Sequence, residues 1–218
     1  MPKFPRLVVP GYPHHITQRG VRRQKTFFDE TDYQTYRNLA VELTGDWPVE
    51  FWAYCLMPNH IHAVVVPEHA DSLSKYFAVL HRRYARAVNL RNEWQGHLWQ
   101  KRFFSVVMDE RHTIAGLRYV ELNPVRAGIC RHPREWPWSS TNGNLGLTND
   151  PLIDRSRTSN VIADWNAYLV EEGDVSAVEQ LRRQTGTGRP AGDDEFLRTI
   201  ESRTGRRVRK RRAGRKKK

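Results

Sequence analysis

The sequence predicts an α+β fold in which an antiparallel sheet is covered by helices on one face. Short segments rich in β-branched and aromatic residues alternate with longer segments whose apolar residues recur every three or four positions. The most apolar stretch, 49–67, is divided by Pro58-Asn59, which favours a hairpin of two strands. A hydrophobic fraction of 39% supplies enough apolar surface for a packed core.

The first half of the chain is predicted to hold a strand, a helix and the hairpin. Residues 12–18 are typical of a short strand that ends in a turn. A helix is expected from Thr31 onward, with Thr31 or Asp29 as its N-cap. The hairpin over 49–67 then adds two paired strands, which gives the order strand, helix, strand, strand.

The next segments repeat the alternation. A helix is predicted over 72–92, followed by a strand or a strand pair within 97–108. A further helix is predicted over 110–123, because Pro124 disfavours helical geometry at the residue before it. The resulting order of elements is typical of a ferredoxin-like or RRM-like sheet.

The composition divides the chain into three predicted regions. Residues 1–130 hold the predicted sheet, and residues 131–204 are expected to form a wrapping loop and a C-terminal helical extension. Residues 205–218, the basic tail, hold ten basic and no acidic residues and are predicted to be disordered. The absence of a long apolar run and of any CxxC pair favours a cytoplasmic protein without membrane, disulfide framework or zinc knuckle.

The charge predicts a polyanionic partner. The chain has 36 Lys and Arg against 24 Asp and Glu, a formal net charge of +12. Part of the excess lies inside the predicted fold, where aromatic residues are interleaved as possible stacking platforms: Trp94, Trp99, Phe103 and Phe104. For each of these aromatic residues, core packing is the competing interpretation. The predicted contacts to a nucleic-acid backbone are Arg82, Arg83, Arg86, Arg91, Lys101 and Arg102 in the fold and Arg206, Arg207, Arg209, Lys210, Arg211 and Arg212 in the tail.

Two pairs of residues are candidates for metal binding or catalysis. His60 and His62 are two apart on a predicted strand, so their imidazoles face the same side and could share a metal ion. Tyr119 and Asn123 are four apart and lie on one face of a predicted helix. From spacing alone, a structural role for each pair remains open.

The sequence resembles the REP-associated tyrosine transposases, a branch of the single-tyrosine HUH transposases of the bacterial IS200 type. The resemblance is carried by MPNHIHAVV, HHITQRGVRRQ, GHLWQKRFFS, YVELNPVRAG, WPWSS and TGRPAGDDEF, and it extends from about residue 10 to the C-terminus. It implies that His60 and His62 hold a divalent metal with Asn123 as the third protein ligand, and that Tyr119 is the nucleophile. Residues 1–130 would then be the catalytic domain.

The resemblance also implies an activity and a substrate. The expected reaction is metal-dependent cleavage and rejoining of single-stranded DNA that folds into REP-like hairpins, through a 5′-phosphotyrosine and with Mg²⁺ or Mn²⁺ as cofactor. The protein would be nucleoid-associated and either a monomer or a homodimer. Two alternatives are a non-catalytic, domesticated hairpin-binding protein and an RNA-binding module, although no RNP-type aromatic block supports the latter.

Overall fold

The computed structural model describes residues 6–209. Four strands form one antiparallel sheet in the order β2-β3-β1-β4. The strands are β1 (His14–Arg19), β2 (Val49–Met57), β3 (His60–Pro67) and β4 (Phe104–Val107). The helices described in this range are α1 (Glu30–Thr44), α2 (Ser72–Arg91), α3 (Glu110–Glu121), α4 (Asn123–Arg126), α5 (Thr141–Asn144), α6 (Arg155–Thr158), α7 (Trp165–Val170), α8 (Val175–Thr187) and α9 (Asp194–Thr204).

The sheet has the predicted ferredoxin-like topology. β1 lies between β3 and β4, so the two central strands are separated in sequence by α1 and β2. The hairpin of β2 and β3 turns at Pro58 and Asn59, as the sequence predicts, with Met57 opposite His60. β1 pairs with β3 in the register that places Thr17 opposite His62. This register fixes which residues of the two central strands share a face.

α1 and α2 cover the first face of the sheet, as predicted. Asp29 caps α1 by accepting a hydrogen bond from the Asp32 backbone N–H at 3.0 Å. The helices bury an aromatic cluster against the alternate residues Ile16, Ile61 and Val65 of β1 and β3. At ~25 cal/mol per Å² of apolar surface, this burial is a principal source of stability.

Helices also cover the opposite face, so the expectation of helices on one face holds only for α1 and α2. α3 and α8 lie on this second face, together with residues of α7, and form a second core against β2, β3 and β4. α8 approaches α3 at Gly116, where an added Cβ would come within 3.4 Å of Leu181. The second face needs this cover because Ala53, Cys55 and Val64 present a buried apolar surface there.

The segment before β4 differs from the prediction of a strand or strand pair over 97–108. Only Phe104–Val107 pairs as a strand. The preceding residues run past the end of β1, where the Gln100 N–H bonds the Arg19 carbonyl at 2.8 Å and Trp99 forms a single bridge to Gly20. Trp99 is buried in the first core, which draws this segment away from the sheet.

The helical extension wraps around the second face. α7 begins where Asp164 caps it by accepting a hydrogen bond from the Ala167 N–H at 3.0 Å. α8 ends at Thr187, where Gly188 has a φ of 72°.

The first residues of the predicted disordered tail have defined contacts. Val208 is buried with Leu7 and Ile200, and the Arg209 guanidinium lies 2.6 Å from Glu201. The boundary at residue 205 is therefore wrong for residues 205–209, because an apolar residue and an ion pair hold them to α9. Residues 210–218 lie outside the described residues. Within 6–209, no helix is both long and apolar enough to cross a membrane.

Candidate functional site

β3 places two imidazoles at the second face of the sheet. His60 and His62 lie on the same side of the strand, with ring centroids 4.9 Å apart and planes at 82°. His15 of β1 is the diagonal neighbour of His62, and their rings stack at 5.2 Å. His15 Nε2 and His62 Nδ1 are 3.0 Å apart, a hydrogen bond that fixes the orientation of the His62 ring.

α3 brings Tyr119 to these imidazoles. Asp109 starts the helix by accepting a hydrogen bond from the His112 backbone N–H at 2.8 Å. The Tyr119 ring meets His62 edge-on at 5.4 Å and His15 at 5.8 Å between centroids. Asn123 starts α4, one turn beyond Tyr119, and is 9% exposed. The structure thus brings His60, His62 and Tyr119 together on the second face, with Asn123 one helical turn beyond Tyr119.

The imidazoles are held neutral. Burial, and then the nearby Arg19 charge, lowers the pKa of His60 to about 4. The pKa of His62 lies well below its usual value, first because of burial and then because of His15 and His60. Burial lowers the pKa of His15 to about 3. At neutral pH each ring is therefore uncharged, and when the His62 Nδ1–H donates to His15 Nε2, the Nε2 lone pair of His62 stays available.

The donor set suits a divalent cation. His62 uses Nδ1 toward His15, and His60 uses Nδ1 toward Asn59 Oδ1 at 2.6 Å, so among the described residues neither Nε2 has a hydrogen-bond partner. The amide nitrogen of the buried Asn123 also has none, which is unusual for a buried polar group, although a cation would be bound by the amide oxygen and not by this nitrogen. No group of three or more His, Cys, Asp or Glu side chains within 6–209 could hold a metal ion, so the candidate set depends on Asn123 as its third member.

Three further residues at this site were not found from the sequence. Besides His15, these are Arg126 of α4 and Arg182 of α8, whose guanidinium carbons lie 4.2 and 5.1 Å from the centroid of the Tyr119 ring. Arg126 also donates a hydrogen bond to the Tyr119 carbonyl. The β-strand pattern of HHITQ could have indicated His15, but no local pattern in the sequence relates Arg182 to Tyr119.

A buried carboxyl group ties α3 to the extension. Glu121 Oε1 accepts hydrogen bonds from Ser140 Oγ at 2.9 Å and from Asn144 Nδ2 at 2.7 Å. Ser140 Oγ also accepts from the Tyr54 N–H of β2 at 2.9 Å. Burial raises the pKa of Glu121 to about 7, although the two hydrogen bonds oppose this shift. The network fixes the last turn of α3, which carries Tyr119.

The predicted basic residues of the fold divide into two sets. Arg82, Arg86, Lys101 and Arg102 line a groove of about 900 Å³ between α2 and the segment before β4, hereafter the α2 groove. Arg83 and Arg91 do not line it. Arg83 pairs with Glu42 of α1 at 2.6 Å, and Arg91 pairs with Asp32 at 2.8 Å.

The predicted stacking aromatics divide as well. Trp99 and Phe103 belong to the first core, whereas Trp94 and Phe104 are 48% and 42% exposed. Trp94 lines the α2 groove and packs edge-on against Phe28 at 5.3 Å. Exposed aromatics of this size can stack on bases, so Trp94 remains the candidate platform in the groove.

The α2 groove and Tyr119 lie on opposite sides of the sheet. α2 belongs to the first core, whereas Tyr119 packs against the second. A strand that occupied both would therefore pass around the end of the sheet, where Arg19 lies opposite His60.

The tail candidates are only partly described. Arg206 donates a hydrogen bond to the Arg6 carbonyl at 3.1 Å, Arg207 is exposed, and Arg209 pairs with Glu201. Lys210, Arg211 and Arg212 lie outside the described residues.

Comparison with known proteins assigns the class. The family model described as "Transposase IS200 like" matches residues 9–123, which is more than half of the chain. The chain therefore belongs to the IS200-like transposase family, a class of DNA-processing enzymes.

Within this class, the chain is similar to REP-associated tyrosine transposases. One such protein from Escherichia coli is 26% identical over 153 residues, which cover 70% of this chain and 90% of that protein. A candidate REP-associated tyrosine transposase of Haemophilus influenzae is 28% identical over 122 residues, covering 50% and 69%. The solved structure of a REP-associated tyrosine transposase bound to a REP hairpin has a TM-score of 0.56 at 23% identity, covers 71% of this chain and 92% of that one, and shows the same fold.

Proposed function

We propose that the chain cleaves and rejoins hairpin-forming single-stranded DNA, with Tyr119 as the nucleophile. The observation that carries the proposal is the position of the Tyr119 ring, edge-on to His62 at 5.4 Å. A tyrosine beside neutral imidazoles is suited to attack a group held by a cation that those imidazoles bind.

The proposed step exchanges one ester for another. The Tyr119 Oη attacks the phosphorus of a backbone phosphodiester, the bond from phosphorus to the 3′ oxygen breaks, and a 5′-phosphotyrosine forms. The phenolic proton is passed through solvent to the departing 3′ oxygen, so the products are the protein ester and a free 3′-OH. A second 3′-OH can reverse the step and rejoin strands, because the new ester retains the bond energy.

His60, His62 and Asn123 would hold a divalent cation, Mg²⁺ or Mn²⁺, and two imidazole ligands favour Mn²⁺. When bound, the ion neutralises charge that develops on the phosphate and holds the group in line with the nucleophile. The His15 side chain supports this role by keeping the His62 ring in one orientation at 3.0 Å.

The substrate class rests on charge and on the relatives. The structural neighbour is described as bound to a REP hairpin, and the curated relatives are described as REP-associated. The α2 groove adds five basic side chains, Arg6 among them, and the exposed Trp94, a combination suited to a nucleic-acid backbone and an unpaired base. We therefore propose REP-like hairpins with single-stranded flanks as the substrate.

A covalent adduct tests this function. A labelled hairpin with both flanks is incubated with the protein and Mn²⁺ or Mg²⁺, and the products are separated on a denaturing gel. A protein-DNA band is expected for the wild type and for Tyr12→Phe, whose ring packs on Phe196 away from the imidazoles, and no band for Tyr119→Phe. Hairpin binding without any adduct or cleaved strand would instead support the non-catalytic hairpin-binding alternative.

A further inference from the structure

Two guanidinium groups face the Tyr119 ring without a carboxylate to neutralise them. Arg126 lies 4.2 Å and Arg182 5.1 Å from the ring centroid, measured to the guanidinium carbon. Among residues 6–209, neither forms an ion pair with an Asp or Glu, whereas several other arginines of the fold do. The site therefore concentrates positive charge beside the nucleophile.

The charges of Arg126 and Arg182 repel each other. Although Arg126 as a residue is exposed, partial desolvation of its guanidinium lowers its pKa, and the charge of Arg182 lowers it further, against an opposing effect of Tyr119. Two cations held together without a counter-charge cost free energy, and an anion placed between them relieves that cost. The Tyr119 hydroxyl is on the ring that both cations contact, so an anion joined to this hydroxyl would lie within their reach.

We propose that Arg126 and Arg182 form a clamp for the phosphate of the phosphodiester that Tyr119 attacks. The proposal rests on the proposed function, which supplies that phosphate. Planar guanidinium forks match the non-bridging oxygens of a phosphate and can bind them through paired hydrogen bonds. After the attack, the same contacts keep the phosphotyrosine in place for the rejoining step.

The clamp makes the helical extension part of the active site. Arg182 lies outside residues 9–123, which the family model matches. α8 is fixed on both sides of it, since Leu181 is 1% exposed against α3 and Thr185 Oγ1 lies 3.5 Å from His15 Nδ1. At its start, α8 is tied to α3 by the ion pair of Arg111 and Asp174 at 2.7 Å. Arg182 is thus carried by a rigid element rather than by a loop.

The first test measures single-turnover adduct formation with a saturating labelled hairpin. Arg182→Gln should lower the rate at least tenfold, since it removes a charge-assisted contact to the phosphate. Arg182→Lys should recover part of the rate, because it keeps the charge and loses the fork. The matched control is Arg183→Gln on the same helix, whose guanidinium points to Glu179 at 3.9 Å and which should leave the rate unchanged. Hairpin affinity should change less than twofold in all three variants.

The second test needs no catalysis. Inorganic phosphate is titrated into the full-length protein, and the Nε–Hε signals of the arginines are followed by NMR. The Arg126 and Arg182 signals should move together and saturate, whereas the Arg183 signal should not.

The outcomes separate the two proposals. A wild-type adduct rate in Arg182→Gln, or phosphate that moves neither signal, would overturn the clamp. If the wild type forms no adduct while phosphate moves both signals, the clamp stands as an anion site and the proposed strand transfer is wrong.

Discussion

The buried contact between Ser140 and Glu121 determines how firmly α3, the helix that carries Tyr119, is held. Ser140, Glu121 and Asn144 are each 0% exposed, so solvent cannot replace a missing partner. Ser140→Ala removes a donor to the Glu121 carboxyl group at 2.9 Å and leaves the Tyr54 N–H, also at 2.9 Å, without its acceptor. An orphaned buried donor costs ~1–3 kcal/mol and removal of a bond to an acidic group a similar amount, so we expect a loss of about 3 kcal/mol in the free energy of unfolding.

Chemical denaturation at constant pH measures this loss. Ser139→Ala is the matched control, because Ser139 is also buried in the same segment but its hydroxyl contacts only Trp136 and Thr141. We expect the control to lose about 1 kcal/mol, the net contribution of a neutral hydrogen bond.

A double-mutant cycle with Glu121→Gln isolates the contact itself. Because Ser140 and Glu121 share one buried network, the two substitutions should be non-additive by at least ~1 kcal/mol. In the folded Ser140→Ala protein, the rate of adduct formation should fall while hairpin affinity is kept, since α3 carries Tyr119 but not the α2 groove. Additive stability effects, or an adduct rate equal to that of Ser139→Ala, would refute the anchoring of α3 through Glu121.

Two further predictions concern acid stability and the basic tail. Burial, and then the charge of Arg6, lowers the pKa of His81 from 6.5 to about 3, so the contribution of neutral His81 to stability is complete above pH 6.5 and is lost as the pH falls toward about 3. His81→Phe should therefore lose ~2 kcal/mol less unfolding free energy than the wild type between about pH 7.5 and about pH 5. Parallel curves of stability against pH, measured by denaturant titration, would contradict this prediction. Residues 210–218 follow the anchored Val208 and Arg209. Their removal should lower the affinity for the hairpin and reduce the slope of log K against log salt concentration by ~0.7–0.9 for each phosphate that these residues neutralise. An unchanged slope would show that the segment neutralises no phosphate.

The elements that were predicted correctly are those whose signal is local. The hairpin turn follows from Pro58-Asn59 within a β-branched run, and the extent of α1 and α2 follows from their apolar period. The segment before β4 was predicted less well, because burial of Trp99 in the first core overrides its strand-like composition. The tail boundary was misplaced because Val208 is a single apolar residue whose partners, Leu7 and Ile200, lie elsewhere in the chain.

The residues of the candidate site also divide into those with a local sequence pattern and those without one. Strand alternation groups His60 with His62 and helical spacing groups Tyr119 with Asn123, because the members of each pair are close in sequence, while their roles were inferred from the family resemblance. Residues that reach the site from other segments have no such pattern. Thr185 contacts His15 across 170 positions, and Arg182 is related to Tyr119 only through the packing of α8 on α3. Such contacts follow from tertiary packing rather than from any local period.

The second core packs the extension against α3, the helix that carries Tyr119. Leu117 and Val120 of α3 are 0% exposed, and their neighbours in this core include Trp165, Tyr168 and Leu181 of the extension. α3 therefore lies between the sheet, which supplies the imidazoles, and α7 and α8, which bury its outer side. A shift of α8 would move Arg182 and relax the packing of the helix that carries Tyr119, so the position of the Tyr119 ring depends on residues far outside the segment that the family model matches.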